Sequence, residues 1–151
     1  MGTRADFYIG RGLRAVWLGS IAYDGYFAEA KNPNCNVPPL TLEEKGILEA
    51  KTSQEFRSEV EMFLITRADS TTPSQGWPWP WEDSSTTDYA YAFDEGRVWV
   101  SVFGHSWCDV AHPPSEEEFE ALPKDAVFPD MTEHQVIAQG ARSGILLFEI
   151  R

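Results

Sequence analysis

The segment from Tyr89 to Phe103 constrains the fold most, because its residues alternate with the period of two that is typical of a half-buried β-strand. Aromatic residues alternate with alanine from Tyr89 to Phe93, and valine recurs at every second position from Val98 to Val102. The residues between the two runs, Asp94 to Gly96, are typical of a tight turn. The pattern predicts an antiparallel hairpin with one aromatic face and one face of small side chains.

A second hairpin is predicted near the start of the chain. The residues from Ala5 to Ile9 and from Ala15 to Ala22 are β-branched, aromatic or small, and Gly10-Arg11-Gly12 separates them. A Gly-x-Gly sequence also occurs in phosphate-binding loops. No helical pattern follows this one and the third glycine is missing, so a tight turn is the favoured interpretation.

Two helices are predicted from their capping signals. Thr41 and Thr52 each stand three residues before a glutamate, which is the spacing of a capping box. The first helix is expected to end near Ala50 and the second near Arg67. The second helix carries one apolar stripe, formed by Phe56, Val60, Phe63 and Leu64.

The remaining segments complete an α+β fold. Residues 31–40 contain three prolines and three asparagines and predict a loop. A short helix is expected from Ser115 through Leu122, another over residues 132–138, and a final buried strand from Ser143 to Ile150. Together these elements predict one domain over residues 1–151, with a mostly antiparallel sheet of about five strands and two or three helices on one face.

The net charge excludes several classes of partner. Twelve Lys and Arg residues against 24 Asp and Glu residues give a net charge of −12, which repels phosphate backbones and anionic lipids. Acid density is highest over residues 109–133, which hold eight acids and one base, Lys124. This charge either keeps the protein soluble or binds a basic protein partner. The candidate partner-binding carboxylates are Glu116, Glu117, Glu118 and Glu120.

A tryptophan-rich sequence, Gly76 to Trp81, ends the long polar loop between Ala68 and Thr86. Alternating prolines favour an extended, polyproline-like backbone, from which the three indoles project in different directions. Large amphipathic rings serve both as core side chains and as interface anchors. We expect this loop to be exposed and to form the aromatic part of a partner-binding surface, and a core position is the alternative. The candidate residues are Trp77, Trp79 and Trp81.

One cluster has the residue types of a metal site. His105, Cys108 and His112 have the spacing His-x-x-Cys-x-x-x-His, with Asp109 beside them. A structural zinc site normally pairs such a spacing with a second one, which is absent, so we expect neither metal nor cofactor. A Cys-His nucleophile pair is a further interpretation, but no orienting group or oxyanion donor is recognisable.

The cysteines and the first residues indicate a compartment. Cys35 and Cys108 lie far apart in a chain of ordinary size, which is unlike a disulfide-rich secreted domain. The first six residues carry charge where a signal peptide requires an apolar stretch, and no apolar run approaches the length of a membrane span. We therefore expect a cytoplasmic protein with reduced thiols.

Six short stretches are distinctive when taken together: Gly2 to Tyr8 (GTRADFY), Trp17 to Ala22 (WLGSIA), Asp24 to Tyr26 (DGY), Gly76 to Trp81 (GWPWPW), Thr87 to Phe93 (TDYAYAF) and Arg142 to Gly144 (RSG). In these stretches the chain resembles a group of small bacterial proteins that accompany plasmids, prophages and integrated elements. That group has no assigned activity, so the resemblance implies no catalytic residue. It implies a setting, the accessory cargo of mobile DNA, in which small acidic proteins often inhibit defence systems or confer immunity to toxins.

These observations lead to two hypotheses about function. The first is a non-enzymatic acidic protein that binds a basic, nucleic-acid-handling protein, as an inhibitor of a host defence system or an immunity-type protein. The second is a small enzyme or ligand-binding domain, with a pocket between the tryptophan-rich loop and the segment His105 to His112. A charge-driven complex weakens at high salt, whereas binding in a tryptophan-lined pocket does not.

Overall fold

The computed structural model describes residues 3–23, 46–112 and 115–133. Within these ranges, residues 46–48 and residues 132 and 133 are helical. The predicted loop at 31–40, most of the helix predicted from Thr41, the rest of the helix predicted at 132–138 and the strand predicted from Ser143 to Ile150 lie outside the described residues.

Among the described residues, one mixed sheet contains six strands in the order β3-β2-β1-β4-β5-β6. The strands are β1 (Ala5–Ile9), β2 (Val16–Ile21), β3 (Ser70–Thr71), β4 (Tyr89–Asp94), β5 (Arg97–Val102) and β6 (Cys108–Asp109). Every neighbouring pair is antiparallel except β1 and β4, which are parallel. The predicted α+β class and both predicted hairpins are confirmed. Strands β3 and β6 were not predicted, because two residues are too few to show a periodicity.

Two helices lie wholly within the described residues, α1 (Ser53–Ile65) and α2 (Glu116–Ala121). The Thr52 hydroxyl caps α1 by accepting a hydrogen bond from the third backbone N–H of the helix, and Ser115 caps α2 in the same way. The predicted apolar stripe of α1 is buried, as expected. Among the described residues, no helix combines the length and apolar character that crossing a membrane requires.

The first core lies between the sheet and α1. The period of two directs Phe7 and Tyr91 to the same side, where their rings stack with centroids 5.5 Å apart. Phe63 of α1 meets Phe7 edge-on at 6.2 Å. Gly19 lies where α1 passes close to β2, and a Cβ at that position would collide with the Leu64 side chain. Glycine in this strand therefore allows the helix to approach the sheet closely.

The second core lies on the opposite face of the sheet. Tyr8, Ala90 and Ala92 point to this side. In the parallel pairing of β1 and β4, Ala90 lies beside Asp6 and Ala92 lies beside Tyr8. The small side chains of β4 were predicted correctly. They form a surface on which tryptophan rings and the side chains of Phe128 and Met131 pack. The sheet is therefore covered on both faces.

Candidate functional site

The Trp-Pro segment, residues 76–81, belongs largely to the second core. Trp77 is only 1% exposed, packs edge-on against Trp17 at 5.2 Å, and donates its indole hydrogen to the Trp81 carbonyl oxygen at 2.7 Å. The expectation of three tryptophans on an exposed loop is therefore corrected for Trp77. Its ring is buried because Ala90 and Ala92 leave space above the sheet.

Trp79 and Trp81 are half-buried and stack on each other, with ring centroids 5.6 Å apart and planes 17° apart. The Arg4 guanidinium lies over both rings, at 5.7 Å and 5.4 Å from their centroids, and forms an ion pair with Asp88. The Trp81 indole donates to the Thr87 hydroxyl at 2.9 Å. These two tryptophans keep part of their surface in contact with solvent.

The carboxyl group of Asp6 is the centre of a buried hydrogen-bond network. Asp6 is 0% exposed. Its Oδ1 accepts hydrogen bonds from the Ser20 hydroxyl at 2.5 Å and from the Trp79 indole at 2.7 Å. Its Oδ2 accepts a hydrogen bond from the Ser84 hydroxyl at 2.6 Å, and Thr87 also hydrogen-bonds this carboxyl group. Each of these partners is neutral.

Burial and these hydrogen bonds have opposite effects on the pKa of Asp6. Burial removes water from the carboxyl group and raises its pKa, while the hydrogen bonds from Ser20, Ser84 and Trp79 lower it; the net shift is upward. Burial raises the pKa of Tyr8 well above its ordinary value, and the charge of Asp6 raises it further. Tyr8 is therefore protonated at neutral pH.

A directed chain of hydrogen bonds runs from Tyr8 to Asp6. The Ser84 hydroxyl lies 2.6 Å from the Tyr8 hydroxyl and donates its single hydrogen to Asp6. Tyr8 must then be the donor to Ser84. The network thus connects strands β1 and β2 with the Trp-Pro segment and with the short 3-10 turn at Ser84–Thr86.

The buried network was missed in the sequence, although a signal for it exists. In β1 the alternation places Asp6 and Tyr8 on one face and three apolar residues on the other. A charged residue at an inward-facing strand position is expensive unless it is hydrogen-bonded. This position therefore predicts buried polar partners, even though the sequence does not identify them. Asp6, Tyr8 and Ser84 are all closed to solvent, and in this structure they connect elements of the fold.

The three candidate metal-ligand residues, His105, Cys108 and His112, do not share a common partner in the structure. His105 Nδ1 lies 2.7 Å from the Leu122 carbonyl oxygen, and the Cys108 thiol donates to the Ser106 carbonyl oxygen at 3.5 Å. His112 is exposed. Burial raises the pKa of the Cys108 thiol, which is the opposite of what an activated nucleophile requires. In residues 3–23, 46–112 and 115–133, no group of three or more His, Cys, Asp or Glu side chains is placed to hold a metal ion.

The acidic segment, residues 115–133, presents its charge to solvent. It contains seven acids and one base, Lys124, whose ammonium group lies 4.4 Å from the centroid of the Phe103 ring. The exposed carboxylates are those of Glu117, Glu118, Asp125, Asp130 and Glu133. The side chains of the other two candidates in α2, Glu116 and Glu120, lie outside the described part of the structure.

The ion pairs of the described residues all lie outside the acidic segment. They join Arg4 to Asp88, Arg11 to Asp94 and Glu95, Arg57 to Glu61, Arg67 to Asp69, and Arg97 to Asp109. The Met131 backbone N–H donates to the Glu82 carbonyl oxygen at 2.6 Å, which places exposed Glu82 beside the acidic segment. Among the described residues, five of the six arginines, all except exposed Arg14, thus pair with carboxylates elsewhere, while this surface keeps its negative charge.

Phe128 occupies part of the region in which the alternative hypothesis places a ligand pocket. Its ring lies 5.3 Å from that of Trp107, within the segment His105 to His112, and 6.0 Å from that of Tyr8. Phe128 and Met131 are both buried in the second core. Part of this region is therefore packed with side chains of the second core.

Comparisons with protein-family models, with curated protein sequences and with solved structures each found no match. A functional proposal for this chain therefore depends on its own charge distribution and geometry.

Proposed function

We propose that this chain is a non-enzymatic acidic binding protein, and that the acidic segment together with Glu82 binds a basic surface of a partner protein. The proposal depends on the different positions of paired and unpaired charges in the fold. Five arginines pair with carboxylates outside the acidic segment, whereas Glu82, Glu117 and Glu133 are exposed and have no cationic partner among the described residues.

Charge of one sign on one surface favours a partner of opposite charge. Complementary potentials accelerate encounter and suppress binding to wrong partners. The net charge of −12 opposes binding of this chain to nucleic acid. The same charge attracts a partner protein that binds phosphate backbones, because the surface of such a partner is basic. The proposed partner is therefore a basic, nucleic-acid-handling protein. In the mobile-element setting that the sequence resemblance implies, the chain would act as an inhibitor of a host defence system or as an immunity-type protein.

The aromatic part of the proposed surface is limited to Trp79 and Trp81. Both rings are half-buried and lie within three residues of Glu82 in the chain, so they can contribute apolar contact beside the acidic segment. Trp77 supports the segment from within the core and is not part of the proposed surface.

Neutralising three exposed carboxylates of the proposed surface is expected to weaken partner binding at least about tenfold, because each one loses its attraction to the basic partner. The variant combines Glu82→Gln, Glu117→Gln and Glu133→Gln. The measurement is recovery of basic proteins with the tagged chain from its source cells, followed by the dissociation constant of the purified pair.

A matched control variant distinguishes the effect of this surface from the effect of net charge. Glu49→Gln, Glu61→Gln and Glu95→Gln remove the same charge from exposed side chains that lie outside the proposed surface. The control variant is expected to bind within about twofold of the unmodified protein. Equal losses in both variants would show that only net charge matters. Undiminished binding of the first variant, or recovery of a tightly held small molecule in place of a protein, would contradict the proposal.

A further inference from the structure

We propose that Asp6, Ser84 and Tyr8 form a pH-dependent conformational switch, in which ionised Asp6 favours release of the Trp-Pro segment from the sheet and neutral Asp6 favours its closed position. This inference concerns the fold of the chain and does not depend on the proposed partner.

The contacts of Trp79 connect the segment to the switch. The Trp79 indole donates directly to Asp6 Oδ1, and Ser84, a few residues further along the chain, donates to Oδ2. Pro78 and Pro80 have no amide hydrogens, so the segment between Trp77 and Trp81 offers few backbone donors to the sheet. The hydrogen bond from the Trp79 indole to Asp6 therefore provides a polar attachment of the segment to strand β1.

The charge of Asp6 is buried without a cation among its hydrogen-bond partners. Those partners are two serines, one threonine and one indole. Arg4, the nearest arginine in the chain, lies over the rings of Trp79 and Trp81 and pairs with Asp88 instead. The other titratable groups at this site are Tyr8 and Asp83, and the Asp83 charge raises the pKa of Tyr8. The surroundings of Asp6 are thus neutral or negative.

Burial determines the direction of the switch. A carboxylate that is closed to water loses its hydration, and neutral donors replace only part of it. Opening the Trp-Pro segment returns water to the carboxylate, so opening is easier when Asp6 is ionised. The upward shift in the pKa of Asp6 agrees with this direction.

Neutral Asp6 can keep the segment closed with the same atoms. The protonated Oδ2 donates to Ser84, Ser84 turns its own hydrogen toward the Tyr8 oxygen, and the Tyr8 hydrogen turns away from Ser84; Oδ1 still accepts from Trp79. The hydrogen-bond chain therefore reverses its direction without moving its heavy atoms. In this state no charge is buried.

Hydrogen exchange of the Trp79 indole N–H, followed by NMR in the intact chain, tests the proposal. The Trp99 indole donates to the Asp94 carbonyl oxygen at 2.9 Å and serves as an internal control for the intrinsic effect of pH on exchange. We expect the ratio of the Trp79 rate to the Trp99 rate to increase as pH rises above about 4, by up to about tenfold per pH unit, until pH passes the raised pKa of Asp6.

The variant Asp6→Asn cannot ionise, and in it the ratio is expected to be independent of pH. A constant ratio in the unmodified protein, or the same increase in Asp6→Asn, would overturn the proposal. If Asp6→Asn does not fold, Ser84→Ala provides a second test. It removes one donor to the carboxylate, so the increase is expected to extend to higher pH, and an unchanged profile would also overturn the proposal.

Discussion

Replacing Asp6 with alanine is expected to lower the free energy of unfolding by about 3 kcal/mol, because buried donors would lose their acceptor. Three of these donors are the Trp79 indole and the hydroxyls of Ser20 and Ser84. Asp6→Asn keeps an acceptor for Trp79 and removes the buried charge, so we expect it to be less destabilising than alanine. Urea unfolding followed by tryptophan fluorescence measures both effects.

A surface carboxylate provides the comparison for this variant. Asp94 pairs with Arg11 at 3.0 Å on the partly exposed end of the β4–β5 hairpin. Asp94→Ala is expected to change the free energy of unfolding by at most about 1 kcal/mol. If Asp6→Ala were no more destabilising than Asp94→Ala, the buried network would not have the structural importance described above.

Replacing Trp77 with alanine is expected to lower the free energy of unfolding by about 4 kcal/mol, because it removes a fully buried aromatic side chain and leaves a cavity. The ring also loses its contact with Trp17 and its hydrogen bond to the Trp81 carbonyl oxygen. Leu13→Ala, at a position that is 72% exposed, is expected to have an effect within about 0.5 kcal/mol. The measurement is again unfolding by urea.

The Trp77→Ala variant also distinguishes between two roles for Trp77, as a core residue or as a partner contact. If Trp77 were a partner contact, Trp77→Ala would leave stability nearly unchanged and weaken binding directly. We expect the opposite result: a large loss of stability, and partner binding that is retained by the fraction of molecules still folded under native conditions.

The elements that were predictable from the sequence depend on local patterns. Both hairpins and α1 combine a clear periodicity with a turn or cap signal inside the same short segment. The burial of Trp77 depends instead on β1 and β4, which lie far apart in the chain and pair in parallel. The alanines of β4 indicated a small-residue face, but not which segment would cover it.

The candidate site was predictable only in part, for a related reason. Alternation places Asp6 beside Tyr8, but its partners Ser20, Trp79 and Ser84 come from positions 14 to 78 residues away. Composition gives the net charge of the chain, whereas the neutralisation of arginines elsewhere depends on tertiary contacts. Likewise, the spacing of His105 and Cys108 could not show that each would hydrogen-bond a backbone carbonyl oxygen.

The response of the purified complex to salt and to a competing polyanion tests the proposed function most directly. We predict that the dissociation constant of the chain and its recovered partner rises at least about tenfold between about 50 mM and about 500 mM salt. We also predict that a short DNA duplex displaces the chain from the partner. An affinity that is independent of salt, together with binding that DNA does not disturb, would contradict recognition of a basic, nucleic-acid-handling surface by the acidic segment.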